Sequence, residues 1–164
     1  MNKKIAASLT LAATILAGCQ MPYSGPTERT VAFPASEYNE LEKTGTSSIT
    51  GQLFLRTRAG DVKYGAGSEI AVAPVTTYSR EATMMIIHGK TPATADPRAS
   101  EYTRRTIADG SGRFSVENLP AGEYYVAGGV FWEVPGSYAP RQGSMVVQQI
   151  SLTEGETKDI MLTK

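Results

Sequence analysis

Hydrophobic and polar positions alternate along two stretches that follow Ser47. In SITGQLFLRT the residues on one face of an extended strand are Ile49, Gly51, Leu53 and Leu55. In EIAVAPV the residues Ile70 and Val72 point one way, and Pro74 is expected at the end or at an edge because proline cannot donate a hydrogen bond to a sheet. A period of two predicts strands that each bury one face.

More strands are predicted in the second half of the chain, with turn residues between them. Tyr102–Ala108 and Arg113–Val116 flank the turn Asp109–Gly112, which predicts a hairpin because Asp-Gly tolerates positive φ. A long strand follows in EYYVAGGVFW, and SMVVQQISL and TKDIMLT form a closing pair around Glu154-Gly155. Tyr124, Val126 and Val130 occupy alternate positions of the long strand, and the core candidates in the closing pair are Val146, Ile150, Leu152, Ile160 and Leu162. About seven short strands predict an all-β, antiparallel β-sandwich.

Two segments depart from this strand pattern. Ser79–Ser100 is predicted to be a helix-containing insertion at one end of the sandwich, with Ser79 as the helix cap and Gly89 at the helix end. Residues 20–46 contain three prolines and two glycines, which predicts a flexible tether with one helical turn near Ser36–Lys43. The predicted organisation is therefore a signal peptide at 1–18, a tether at 19–46 and one domain at 47–164.

The N-terminus carries the pattern of a secretory signal. Two lysines precede an uncharged run from Ile5 to Leu16, which is too short to span a bilayer. The following Leu-Ala-Gly-Cys resembles the bacterial lipobox, which implies cleavage between Gly18 and Cys19 and lipidation of the Cys19 thiol, the only one in the chain. Gln20 rather than aspartate after the cysteine favours the outer membrane, facing the periplasm. The alternative is an ordinary secreted protein whose signal contains an incidental cysteine.

Charge and composition exclude several classes of function. Two of the 16 basic residues lie in the signal, so the mature chain is slightly acidic and has no basic stripe for a nucleic acid. A single histidine, His88, cannot supply a zinc site, and we expect it to end a helix. No serine lies in a G-x-S-x-G motif. We therefore expect a non-catalytic protein without a metal or other cofactor.

The stretch DGSGRFSVENLPAGEYYV resembles the carboxypeptidase regulatory-like family, whose pattern is roughly D-x-x-G-x-F-x-F-x-x-L-x-x-G-x-Y. The matching residues are Asp109, Gly112, Phe114, Leu119, Gly122 and Tyr124, with Val116 in place of the second aromatic residue. The resemblance covers about residues 47–164 and implies a transthyretin-like sandwich. It implies no peptidase activity, because the zinc-binding catalytic domain of the metallocarboxypeptidases is absent.

Four aromatic residues near the long strand are candidates for a binding rim. Phe131, Trp132 and Tyr138 surround a Pro-Gly pair, and Tyr125 lies one hairpin away. Exposed aromatic residues at loop edges often anchor a partner or stack on sugars, although Trp132 could instead cover one end of the core. The sequence thus predicts a lipid-anchored envelope accessory protein with a structural or protein-binding role, or alternatively a carbohydrate- or peptidoglycan-binding module. Its expected partners are the membrane and an unidentified envelope protein or cell-wall glycan.

Overall fold

The computed structural model describes residues 25–138 and 141–164. These residues form eight strands in two four-stranded sheets, with three short helices. The strands are β1 Ser47–Arg56, β2 Val62–Tyr64, β3 Glu69–Pro74, β4 Arg104–Ile107, β5 Arg113–Leu119, β6 Gly122–Glu133, β7 Arg141–Leu152 and β8 Thr157–Leu162. The helices are α1 Ala35–Asn39, α2 Thr77–Ile87 and α3 Pro97–Ser100. The predicted all-β sandwich with a helix-containing insertion is confirmed.

Strand β1 organises the first sheet. It pairs antiparallel with β5 and, near its C-terminal end, with β2, and it pairs parallel with β8. The second sheet has the order β4-β3-β6-β7 and is antiparallel throughout. The sandwich is therefore antiparallel apart from the β1–β8 pair.

Two of the predicted hairpins are wrong. Strands β4 and β5 belong to different sheets, so the turn Asp109–Gly112 carries the chain across the sandwich instead of closing a hairpin. Strands β7 and β8 also pair with different partners, β6 and β1. A tight turn has the same local chemistry whether it closes a hairpin or connects two sheets. Strand pairing, in contrast, depends on residues far away in the sequence.

The core lies between the two sheets, and the alternating positions identified in the sequence fill it. The buried members from the first sheet are Ile49, Leu53, Leu55, Phe114, Val116, Leu119, Ile160 and Leu162. Those from the second sheet are Ile70, Val72, Tyr124, Val126, Val130, Val146, Ile150 and Leu152. The Tyr124 hydroxyl donates to the carbonyl oxygen of Pro120 at 2.9 Å, so this buried polar group is satisfied where the chain crosses between sheets.

The helix-containing insertion was predicted to lie at one end of the sandwich. Its helix α2 lies instead over the outer face of the second sheet. Residues of α2, among them Thr83 and Met84, line a groove together with Tyr125 of β6 and Val147 of β7. The helix cap is Thr76, and Ser79 completes a reciprocal capping box with it. The cap was predicted at Ser79 but lies three residues earlier, because the Thr76 side chain accepts the hydrogen bond from the Ser79 amide.

Residues 25–46 were expected to be a tether, but this described segment packs against the insertion. Tyr38 of α1 is only 3% exposed and forms a second apolar cluster with Tyr78 and Ala99. The helical turn predicted near Ser36–Lys43 corresponds to α1, which follows Pro34 and is capped by no side chain. The aromatic residues of this segment follow neither a helix nor a strand period in the sequence. Only their contacts with residues of α2 and α3 show that they belong to a core. The boundary expected at Ser47 therefore lies inside the packed unit.

An ion pair helps to hold this segment on α2. The Glu81 carboxylate accepts hydrogen bonds from the backbone amide and hydroxyl of Thr30 and from the amide of Val31, and it lies 3.4 Å from Arg29 Nε. Burial acts to raise the pKa of Glu81, but these donors and the Arg29 charge outweigh burial and lower the pKa below its usual value. Glu81 is therefore ionised at neutral pH and fastens residues 29–31 to the helix.

Candidate functional site

The four predicted rim aromatics do not form one surface. Tyr125 is only 8% exposed because it lies on the face that α2 covers. Phe131 lies on that same outer face, is 45% exposed and has the Arg141 guanidinium 4.5 Å from its ring centroid. Tyr138 is fully exposed in the loop after β6. Trp132 alone points toward the inside of the sandwich, where it packs against the edge of the core.

Trp132 also lines an open cleft of about 980 Å³ at one end of the sandwich. One wall consists of the end of β1 and the turn that follows, and the other consists of Trp132 and the first residues of β7. The lining residues are Leu55, Arg56, Thr57, Arg58, Ala59, Trp132, Gln142, Gly143, Ser144 and Lys164. Both sheets contribute to this cleft, and its size is that of a small-molecule or oligomer site.

Strand register places the polar groups beside the indole. Gln142 is the cross-strand partner of Trp132, and Ser144 is the partner of Val130. Because side chains on a strand alternate, Gln142 and Ser144 share the inward face with the buried Val146. Lys164 Nζ donates to Ser144 Oγ at 3.2 Å. The indole face therefore has an amide, a hydroxyl and an ammonium group close by.

The turn between β1 and β2 forms the opposite wall. The Thr57 amide donates to the Asp61 carbonyl oxygen at 2.8 Å, and the Gly60 amide donates to the Thr57 carbonyl oxygen at 2.9 Å. Thr57 Oγ1 also accepts from the Asp61 amide at 3.1 Å. These bonds fix the turn and hold Arg58 near its tip. The cleft thus has a rigid support on this side as well.

Most of the lining residues of this cleft were not predicted from the sequence. No binding role was expected for Arg56 or Arg58. The one available signal was Arg56 and Arg58, which are two cations within three residues of a strand end. What the sequence could not show is that this turn faces the start of β7, about 85 residues later in the chain.

The other residues that the sequence singled out either have a structural role or lie outside the described residues. His88 caps the C-terminus of α2, and its Nδ1 lies 2.7 Å from the carbonyl oxygen of Met84. Among residues 25–138 and 141–164, no group of three or more His, Cys, Asp or Glu is arranged to hold a metal ion. No helix in these ranges is long and apolar enough to cross a membrane. The signal peptide, Gly18 and Cys19 lie outside the described residues.

Comparison with known proteins shows a likeness to a solved structure. No protein-family model matches the chain, so its resemblance to the carboxypeptidase regulatory-like family stays a prediction. No curated protein matches it either. The chain is similar to the crystal structure of a "putative carbohydrate binding protein" from Pseudomonas aeruginosa, with a TM-score of 0.72 and 25% sequence identity. The alignment covers 80% of this chain and 97% of that chain, so nearly the whole of the Pseudomonas fold recurs in this β-sandwich.

Proposed function

We propose that this protein is a non-catalytic, glycan-binding module held at the cell envelope by a lipid on Cys19. The observation that carries the proposal is the open cleft, in which the Trp132 indole lies beside Gln142 and opposite the β1–β2 turn. A pyranose has one apolar face of C–H groups and a rim of hydroxyls. The indole offers a flat apolar surface for the C–H face, and the surrounding amide, hydroxyl and cationic groups bind the sugar hydroxyls.

The likeness to the Pseudomonas aeruginosa protein supports glycan binding over a structural or protein-binding role. That protein is described as a "putative carbohydrate binding protein", and this chain covers 97% of it. The likeness is global and identifies no binding residue. The cleft supplies the local argument, since concave sites with an aromatic wall and a few converging polar groups are typical of small-ligand binding.

Trp132→Ala should weaken glycan binding strongly. The variant loses the stacking surface, and we expect the affinity for the best-binding oligosaccharide of a glycan array to fall at least about tenfold, as for other aromatic anchors. Isothermal titration calorimetry measures this loss. Phe131→Ala is the matched control, because Phe131 is the neighbouring aromatic residue on the opposite face of β6.

A second variant separates binding from folding, because Trp132 also packs on the core. Gln142 is exposed and lines the cleft, so Gln142→Ala should weaken binding without moving the thermal melt. The proposal fails if no glycan on the array binds, or if Trp132→Ala and Gln142→Ala bind as tightly as the unaltered protein.

A protein-binding role is the second candidate, and one observation favours it. Met84 and Ile87 of α2 and Phe131 and Met145 of the second sheet are large, exposed apolar side chains on one outer face. Apolar side chains grouped in this way are common at protein interfaces. The same two variants separate the functions, because Phe131→Ala would weaken co-purification of an envelope protein and Trp132→Ala would not.

Cys19→Ala should leave the protein without its anchor. The alanine side chain has no thiol to acylate, so the variant should accumulate as unprocessed precursor and label with no fatty acid. Two or three acyl chains bind a membrane firmly, at about 0.8 kcal/mol per buried CH₂. Wild-type protein should therefore enter the detergent phase in Triton X-114 partitioning and sediment with outer membranes. Cleavage of the variant at the same bond, or wild type in the aqueous phase, would refute the anchor.

A further inference from the structure

We infer that the cleft selects glycans whose sugar rings carry a carboxylate, with Arg56 and Arg58 as the groups that recognise the charge. This inference rests on the proposed glycan-binding function and specifies its ligand class. It starts from the charge of the lining: three side chains are cationic, those of Arg56, Arg58 and Lys164, and none is acidic. The mature chain as a whole is slightly acidic, so this concentration of positive charge is local.

The two arginines are not engaged in ion pairs within the described residues. Elsewhere in those ranges, arginines and lysines pair with carboxylates, in Arg29–Glu81, Lys43–Glu101, Arg98–Asp96, Arg105–Glu69 and Lys158–Glu156. All 16 acidic residues lie in the described ranges, and none forms an ion pair with Arg56 or Arg58. Asp61 is in the same turn but does not line the cleft. Neither guanidinium group is therefore neutralised by a carboxylate of the described residues.

The arrangement of the two walls fits a carboxylate on the sugar better than a neutral hydroxyl. Trp132 and Gln142 lie on one wall, and Arg56 and Arg58 lie on the other. A pyranose stacked on the indole would direct its edge towards the arginines. A guanidinium group donates two parallel hydrogen bonds to a carboxylate, and such charge-assisted bonds are roughly twice as strong as neutral ones. A hydroxyl group cannot accept both bonds in this way.

Two kinds of envelope glycan supply this chemistry. In a uronic acid the carboxylate is a ring substituent at C5, and in N-acetylmuramic acid it belongs to the lactyl ether of the sugar. Both place a negative charge at the edge of a pyranose. The experiment therefore uses one matched pair of probes for each source.

The purified full-length mature protein is titrated with trigalacturonic acid and with its methyl ester, in which each charged carboxylate is replaced by a neutral ester. A second pair is the disaccharide of N-acetylglucosamine and N-acetylmuramic acid, against chitobiose, which lacks the lactyl group. We expect the acid of at least one pair to bind about tenfold more tightly than its neutral partner. Raising NaCl from about 50 mM to about 500 mM should reduce this preference, since exposed charges are screened.

Arg56→Gln and Arg58→Gln should each remove most of the preference for the acid, because each lowers the affinity for the acid more than the affinity for the neutral partner. Arg113→Gln is the matched control, since Arg113 is an exposed arginine on β5 that does not line the cleft. Equal binding of the acid and its neutral partner in both pairs, or a preference that survives both arginine variants, would overturn the inference and leave glycan binding intact. Failure of every acidic and neutral glycan to bind would overturn the proposed function itself.

Discussion

Phe114→Ala should lower the free energy of unfolding by about 3–5 kcal/mol. Phe114 is only 6% exposed and belongs to the core between the sheets. Its ring occupies the space left by Gly51 on the neighbouring strand, where an added Cβ would lie 2.8 Å from Phe114 Cζ. Truncation removes the apolar contacts of the ring and leaves a cavity that the surrounding strands cannot fill. Domains are commonly stable by about 5–15 kcal/mol, so the variant would be close to unfolding.

Chemical denaturation followed by circular dichroism measures this effect. Ser115→Ala is the matched control, because Ser115 is the next residue of β5 and its side chain is exposed on the opposite face. We expect the control to change the stability by less than about 0.5 kcal/mol. A native midpoint for Phe114→Ala would mean that the ring is not part of the core.

Gly112→Ala should destabilise the protein by about 3 kcal/mol or more. Gly112 has a φ of +77°, which is costly for any residue with a side chain, and a Cβ added there would lie 2.4 Å from the carbonyl oxygen of Leu53. That carbonyl belongs to the backbone of β1 and cannot rotate away as a flexible side chain would. Either the turn or the end of the β1–β5 pairing must therefore shift.

The same turn provides the control for this prediction. Gly110 lies two residues earlier, has no positive φ, and an added Cβ would meet nothing within 4 Å. Gly110→Ala should therefore change the stability by less than about 0.5 kcal/mol. If thermal or chemical denaturation showed equal effects for the two alanine variants, the close approach of Gly112 to β1 would be refuted.

The stretch from Asp109 to Tyr124, which resembles the carboxypeptidase regulatory-like pattern, shows why some residues were predictable. Asp109 accepts hydrogen bonds from the Ser111 and Arg113 amides, at 2.8 and 2.9 Å, and Gly112 supplies the positive φ. These requirements are local, so Asp and Gly at this spacing indicate the turn directly. Leu119 and Tyr124, which also match the family pattern, are buried. The direction taken by the chain after the turn depends on β1 and β3, and for that reason the predicted hairpin was wrong.

The candidate site was less predictable than the fold. Trp132 was identified because a tryptophan near a Pro-Gly turn is conspicuous in any sequence. Tyr125 was misplaced, because its burial depends on α2, which begins about 50 residues earlier in the chain and covers the outer face of β6. Arg56 and Arg58 were overlooked, since isolated arginines in a turn usually face solvent. Only the closure of the sandwich brings them opposite Trp132.

The amino-acid sequence by itself determined seven of the eight described strands, their buried faces, the presence of a helix after β3 and the tight turns. These depend on interactions between residues close in the sequence: the period-two alternation, the hydrogen bond from a cap, and the positive φ that glycine permits. Only the tertiary structure decided the strand partners, the packing of residues 25–46 on α2 and α3, and the cleft at the end of the sandwich. Those features come from contacts between segments far apart in the chain, and a local pattern carries no information about which distant surface it will meet.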